Sequence, residues 1–151
     1  MDNNVMSYLE TLNYLKMLNK EQRLQLLEAG YEYLMSILTP ACNDNETTAR
    51  NLLIMFLSTF MVADEFLEQE DLDLLKEFFA DELTEDQLIH VLRIADESRE
   101  KIIRGCESFI ENNDEDFLDH IIILGIVVSS NNGEISNKEK QLAVRYLKVL
   151  Y

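Results

Sequence analysis

Cysteine, proline, glycine, histidine and tryptophan are all scarce in this chain of 151 residues: two Cys, one Pro, four Gly, two His and no Trp. Cys42 and Cys106 are too few for a disulfide framework or a thiolate zinc site, so they read as a reduced pair, Cys106 as half-buried packing. His90 and His120 fall in no Glu-x-x-His or His-Glu-x-x-His pattern, so the carboxylate di-iron and zincin signatures are absent. The glycines form no Gly-x-Gly-x-x-Gly and no phosphate loop. Positive charge is scarce as well. Thirteen Lys and Arg face 29 Asp and Glu, a formal net charge of −16. Such a chain is repelled by nucleic acid and by anionic lipid, so direct nucleic-acid binding is not expected. The longest uninterrupted apolar or glycine run, Ile121 to Val128, has eight residues. A membrane helix needs about 20, so no membrane insertion is expected. The start, Met1-Asp2-Asn3-Asn4, lacks a basic-then-apolar leader, and the expectation is a soluble, cytoplasmic protein.

What the chain does have is apolar residues, 47% of it, enough to fill a core despite the charge. They recur at helical spacing: Leu9, Leu12, Leu15; then Leu24, Leu27, Tyr31, Leu34, Leu38; later Leu88, Val91, Leu92, Ala95. Strand-type alternation is not sustained anywhere. Asn19 with Gln22, Thr84 with Gln87 and Ser136 with Glu139 have the spacing of capping boxes. Pro40 is expected to close the helix opened at Asn19. Further helices are expected from Thr47 or Thr48 to Val62, from Glu68 to Phe79, from Thr84 as far as Glu111, from Phe117 to Val128, and from Ser136 to the end. The fold class expected is all-α, with about seven helices.

Two helix–break–helix segments match at an offset of 68 residues, with Asp64 on Asn132. Leu53 then falls on Ile121, Phe56 on Leu124, Phe60 on Val128, Leu74 on Leu142, Phe78 on Tyr146 and Asp71 on Glu139. The same ten apolar residues are the expected shared core. The chain therefore reads as one compact domain, 1–151, built from two pseudo-symmetric helical repeats at roughly 19–82 and 84–151.

Each break follows an apolar helix. The first reads Met61-Val62-Ala63-Asp64-Glu65-Phe66-Leu67 and leads to Asp71; the second reads Asn132-Gly133-Glu134-Ile135 and leads to Glu139. This resembles the paired motif of the TerB-like family, related to tellurite-resistance proteins: Asp-Gly-x-Ile, then an acid four residues on. Glu65 stands where that motif has Gly, Asn132 where it has Asp, and Asp71 where it has Glu. The resemblance covers roughly residues 20–150 in helix order and is sharp only at the breaks. It implies an all-helical fold with pseudo-twofold repeats, an acidic cluster able to bind metal, and a role in stress-response or phage-defence systems. It also allows peripheral association with a membrane complex.

The residues limit what that cluster can be. In EF-hand register Gly133 takes position 6 and Glu139 position 12, but Val128 in one copy, and Phe60 and Val62 in the other, then stand where side-chain oxygens are required. An EF-hand is excluded. Asp64, Asp71, Asn132 and Glu139 could still converge about a pseudo-twofold axis and hold a hard divalent cation, Ca²⁺ or Mg²⁺. Asp71 and Glu139 are equally explained as acids in the first turn of a helix.

Acids are concentrated. Residues 64–86 hold eleven acids and one base, Lys76, which is −10 of the −16; residues 107–119 hold six more acids and no base. A field this strong steers basic partners. The candidate docking residues are Glu65, Glu68, Glu77, Asp81, Glu82, Glu85 and Asp86, facing a basic protein surface. The functional expectation is a non-enzymatic interaction or sensing module, with an acidic inhibitor or nucleic-acid mimic as the alternative.

Overall fold

The computed structural model describes residues 3–61, 69–129 and 135–151, with the side chains of 3 and 69–71 left out. All described regular structure is helical. Eight α-helices are described: α1 (Asn3–Thr11), α2 (Lys20–Ala41), α3 (Glu46–Ser58), α4 (Gln69–Phe78), α5 (Glu85–Glu97), α6 (Arg99–Glu111), α7 (Glu115–Val128) and α8 (Asn137–Leu150), with a 3₁₀ turn at Asn13–Met17.

Local chemistry opens most of these helices where the sequence signals them. The three capping boxes all form, at Asn19/Gln22, Thr84/Gln87 and Ser136/Glu139. Asn45 caps α3 through the Thr48 N–H, and Asp114 caps α7 through the N–H groups of Asp116 and Phe117. Each such cap contributes about 1 kcal/mol.

α3 stops at Ser58, short of the expected Val62, with turn and bend structure from Thr59 to Met61. Two further boundaries differ from expectation. Pro40 lies inside α2, which runs on to Ala41. A proline in the last turn leaves the Ser36 carbonyl without its helical partner, and Ser36 is exposed, so water can serve instead. The helix is ended by Asn43 and Asp44, whose φ values of 56° and 61° are left-handed, while the Asp44 N–H returns to the Thr39 carbonyl at 2.9 Å. Asn and Asp tolerate that conformation better than other side chains do. The second difference is at Ser98, which separates α5 from α6 within what reads as one helix. The offset of 68 puts Ser98 on Gly30, in the unbroken middle of α2.

The helices α3 and α7 pack on each other at the centre, with α2 against both. α5 and α6 cover α3, and α8 covers α7 and α6. The most apolar helix, α7, is buried nearly all round, from Phe117 and Leu118 through Ile121, Ile122 and Leu124 to Val128, as a core helix should be. Shifted by 68 residues, α4 falls within α8, and the contacts of α2 with α4 and of α6 with α8 correspond. Gly125 lets the turn after α3 lie against α7, because a Cβ there would overlap the Phe60 ring.

Nine of the ten expected core residues are buried. Phe78 is half-buried against Tyr31, and its neighbour Phe79 points inward at 3% exposure. Cys106 is fully buried rather than half-buried, and burial pushes its thiol up to about 12. Cys42 and Cys106 are both free thiols.

Candidate functional site

The acidic corner is built by the C-terminal part of α4, the turn after it and the first turn of α5. Glu77, Asp81, Glu82, Glu85 and Asp86 are all exposed. Three have internal basic partners. Lys20 Nζ lies 2.5 Å from Glu77, Lys76 Nζ 3.1 Å from Glu85, and an Arg50 nitrogen 3.8 Å from Glu82. Lys20 and Glu77 are both more than half exposed, so water screens that pair and it adds little to stability. Asp81 and Asp86 make no ion pair among the described residues. Glu65 and Glu68 lie outside the described residues.

The second acidic stretch is mostly used inside the molecule. Glu107 accepts from Arg145, Asp114 caps α7, Glu115 accepts from the Tyr151 hydroxyl, and Asp119 accepts from the Tyr8 hydroxyl at 3.0 Å. Burial and the Asp119 carboxylate together raise the Tyr8 phenol above its ordinary value. Both acid-rich stretches thus mix exposed acids with engaged ones; the second, through Glu107, Glu115 and Asp119, ties α1, α6, α7 and the end of α8 together.

Of the four candidate metal ligands, Asp64 and Asn132 lie outside the described residues, as does the side chain of Asp71. Glu139 lies among the described residues. It is 1% exposed, and its Oε1 accepts from the Ser136 N–H at 2.9 Å, as the capping box requires. Its Oε2 lies 2.6 Å from Lys16 Nζ, with both side chains fully buried. The same ammonium donates to the carbonyls of Ser129 at 2.8 Å and Ile126 at 3.3 Å. Arg23 joins it, donating to the Val127 carbonyl at 3.2 Å. Asn13 Oδ1 accepts from the Ile135 N–H at 3.2 Å. The 3₁₀ turn and the start of α2 therefore carry two cations to the end of α7, where the last carbonyls and the helix dipole favour positive charge. Among the described residues no group of three or more His, Cys, Asp or Glu side chains stands close enough to hold a metal ion.

Lys16 was not singled out by the sequence pattern. The available signal was a lone base inside the apolar run Tyr14-Leu15-Lys16-Met17-Leu18, which is unusual for a solvated residue. No protein-family model, curated protein or solved structure matches this chain. No helix is long and apolar enough to cross a membrane among the described residues.

Proposed function

We propose that the chain is a non-enzymatic helical interaction module of the TerB-like kind, acting in stress response or defence in the cytoplasm, that docks a basic protein surface on its α4–α5 corner. The observation carrying this reading is the outward display of Glu77, Asp81, Glu82, Glu85 and Asp86 on one corner, in a chain of net charge −16. Charge of one sign concentrated on a surface speeds encounter with a complementary partner and selects against acidic ones. The divalent-cation reading has less support. Glu139 already has a cation at contact distance in Lys16, so the negative charge there is matched without a metal.

A lysine-rich peptide, followed by fluorescence anisotropy at rising salt, tests the docking reading. The expected result is binding that weakens as salt screens the corner. Reversing Asp81, Glu82, Glu85 and Asp86 to Lys should then weaken it at least about tenfold more than reversing the exposed acids Glu10, Glu28, Glu97 and Glu111. Equal losses from the two sets would reduce the effect to overall charge and remove the corner as a site.

A further inference from the structure

The helices α1 and α7 and the C-terminal end of α8 leave a cavity of about 460 Å³, within the size range of small-molecule sites. Val5 and Leu147 give it apolar surface, and Tyr8 and Tyr151 line it as well. Its acids are Glu115 and Asp119, and its described lining holds no base. The residues just before this stretch of α1 are Met1, Asp2 and Asn3, which bring no basic side chain.

Both carboxylates are held by neutral donors. Asp119 accepts from the Tyr8 hydroxyl at 3.0 Å, and Glu115 accepts from the Tyr151 hydroxyl. A phenol fixes a carboxylate in place without cancelling its charge. Neither acid forms an ion pair among the described residues. In this they differ from Glu77, Glu82 and Glu85 of the corner, each of which has a Lys or Arg partner. Glu115 is the first residue of α7, where the helix dipole favours an acid. Asp119 lies a full turn further on, where that help has faded. Its charge is felt in the cavity, where together with burial it raises the Tyr8 phenol and keeps it a donor. Tyr151 is 69% exposed, so its hydroxyl bond rather than burial places its ring. Aromatic rings beside uncancelled carboxylates suit an organic ammonium ion. Its charge meets the acids, and its alkyl groups meet the rings and the apolar wall.

We propose that this cavity binds a small alkylated ammonium ion, its charge beside Asp119 and Glu115 and its alkyl groups against Tyr8, Tyr151 and Leu147. The site shares no helix with the α4–α5 corner and stands or falls without it. The test is titration of the full chain with choline, its uncharged carbon isostere neohexanol, and ammonium chloride, at constant ionic strength and read by NMR shifts. Choline should shift Tyr8, Asp119 and Leu147 saturably. Neohexanol has the shape without the charge and should not bind. Ammonium has the charge without the alkyl groups and should bind at least about fivefold more weakly. Glu115→Gln and Tyr151→Leu should each weaken choline binding about fivefold, the size of one exposed charge contact or cation–π contact. Both residues are exposed, so these variants keep the fold. Glu111→Gln removes an equal charge outside the cavity and should leave choline binding unchanged. No saturable shift at about 10 mM choline, or equal binding of neohexanol, overturns the proposal. So does a loss from Glu111→Gln as large as that from Glu115→Gln, which would reduce the effect to overall charge. A lysine-rich peptide that shifts the same residues at lower concentration than choline would assign the cavity to a protein side chain and overturn it too.

Discussion

The helices α3 and α7 align at the 68-residue offset, yet their C-terminal ends are finished in different ways. The end of α7 is sealed: the 3₁₀ turn lies against it, and Lys16 and Arg23 satisfy its carbonyls from inside the protein. The end of α3 borders an open cavity, and its Thr59 carbonyl is met by Arg99 from α6. The offset explains the difference. It carries Lys16 onto Thr84 and Arg23 onto Val91. Thr84 caps α5 and Val91 packs in the core, so neither can bring a cation to α3. Two helix ends that align at the offset are thus finished differently, α7 by Lys16 and Arg23 and α3 by Arg99.

The largest expected effect breaks the sealed end. Lys16→Met leaves the Glu139 carboxylate buried without its ammonium, and breaking such a pair costs about 3–5 kcal/mol. Urea denaturation should show that loss, and adding Glu139→Gln should recover part of it. A variant as stable as the parent would mean that the buried pair does not hold the seal. The next effect tests the contact of α7 with the turn after α3. Gly125→Ala forces a Cβ onto the Phe60 ring and should cost about 1–3 kcal/mol. Gly105→Ala meets only a Phe56 ring atom at 3.8 Å. It should be neutral or stabilise the chain by up to about 1 kcal/mol, through helix propensity. Thermal melts of the two variants should move in these different senses.

Smaller effects sharpen the open end. The Tyr146 hydroxyl lies 3.2 Å from Thr59 Oγ1 and ties α8 to the end of α3. Tyr146→Phe should cost about 1 kcal/mol in denaturant melts, because Thr59 keeps its bond to the Phe56 carbonyl. The smallest change is in protonation. Hydrogen bonds from Arg145 hold Glu100 down to about 2 from an ordinary 4.5. A lowered carboxylate contributes its ion pair above the unfolded value and loses it as pH falls through the folded one. The loss should therefore run from about pH 4.5 down to about 2. A carboxyl NMR titration should place the Glu100 midpoint near 2 in the parent and nearer 4.5 in Arg145→Gln. An unshifted midpoint would show that Arg145 is not held there in solution.

Much of the fold was legible because the signals that write it are local. Capping needs two side chains three residues apart, and all three boxes read from the chain are formed. Helical periodicity placed nine of ten expected core residues inside. It missed at Phe78 because Phe78 and Phe79 are adjacent aromatics that both meet the Tyr31 ring edge-on, and periodicity alone does not say which is buried more deeply. The break at Ser98 was illegible for a related reason. No proline or glycine marks it, and it allows α5 to cover α3 while α6 reaches α8.

By itself, then, the chain determined its helices, their caps, their apolar faces and the uneven placement of its acids. Tertiary structure decided which charges face water and which face each other. Glu139 reads as a cap or a ligand until Lys16 arrives beside it, and Lys16 reaches the α7 carbonyls across 110 and 113 residues of chain. Periodicity and capping act over one or two turns, and nothing at that range encodes such a meeting. The same holds for Arg99, Lys138 and Arg145, which are scattered in the chain and gathered only where three helices pack.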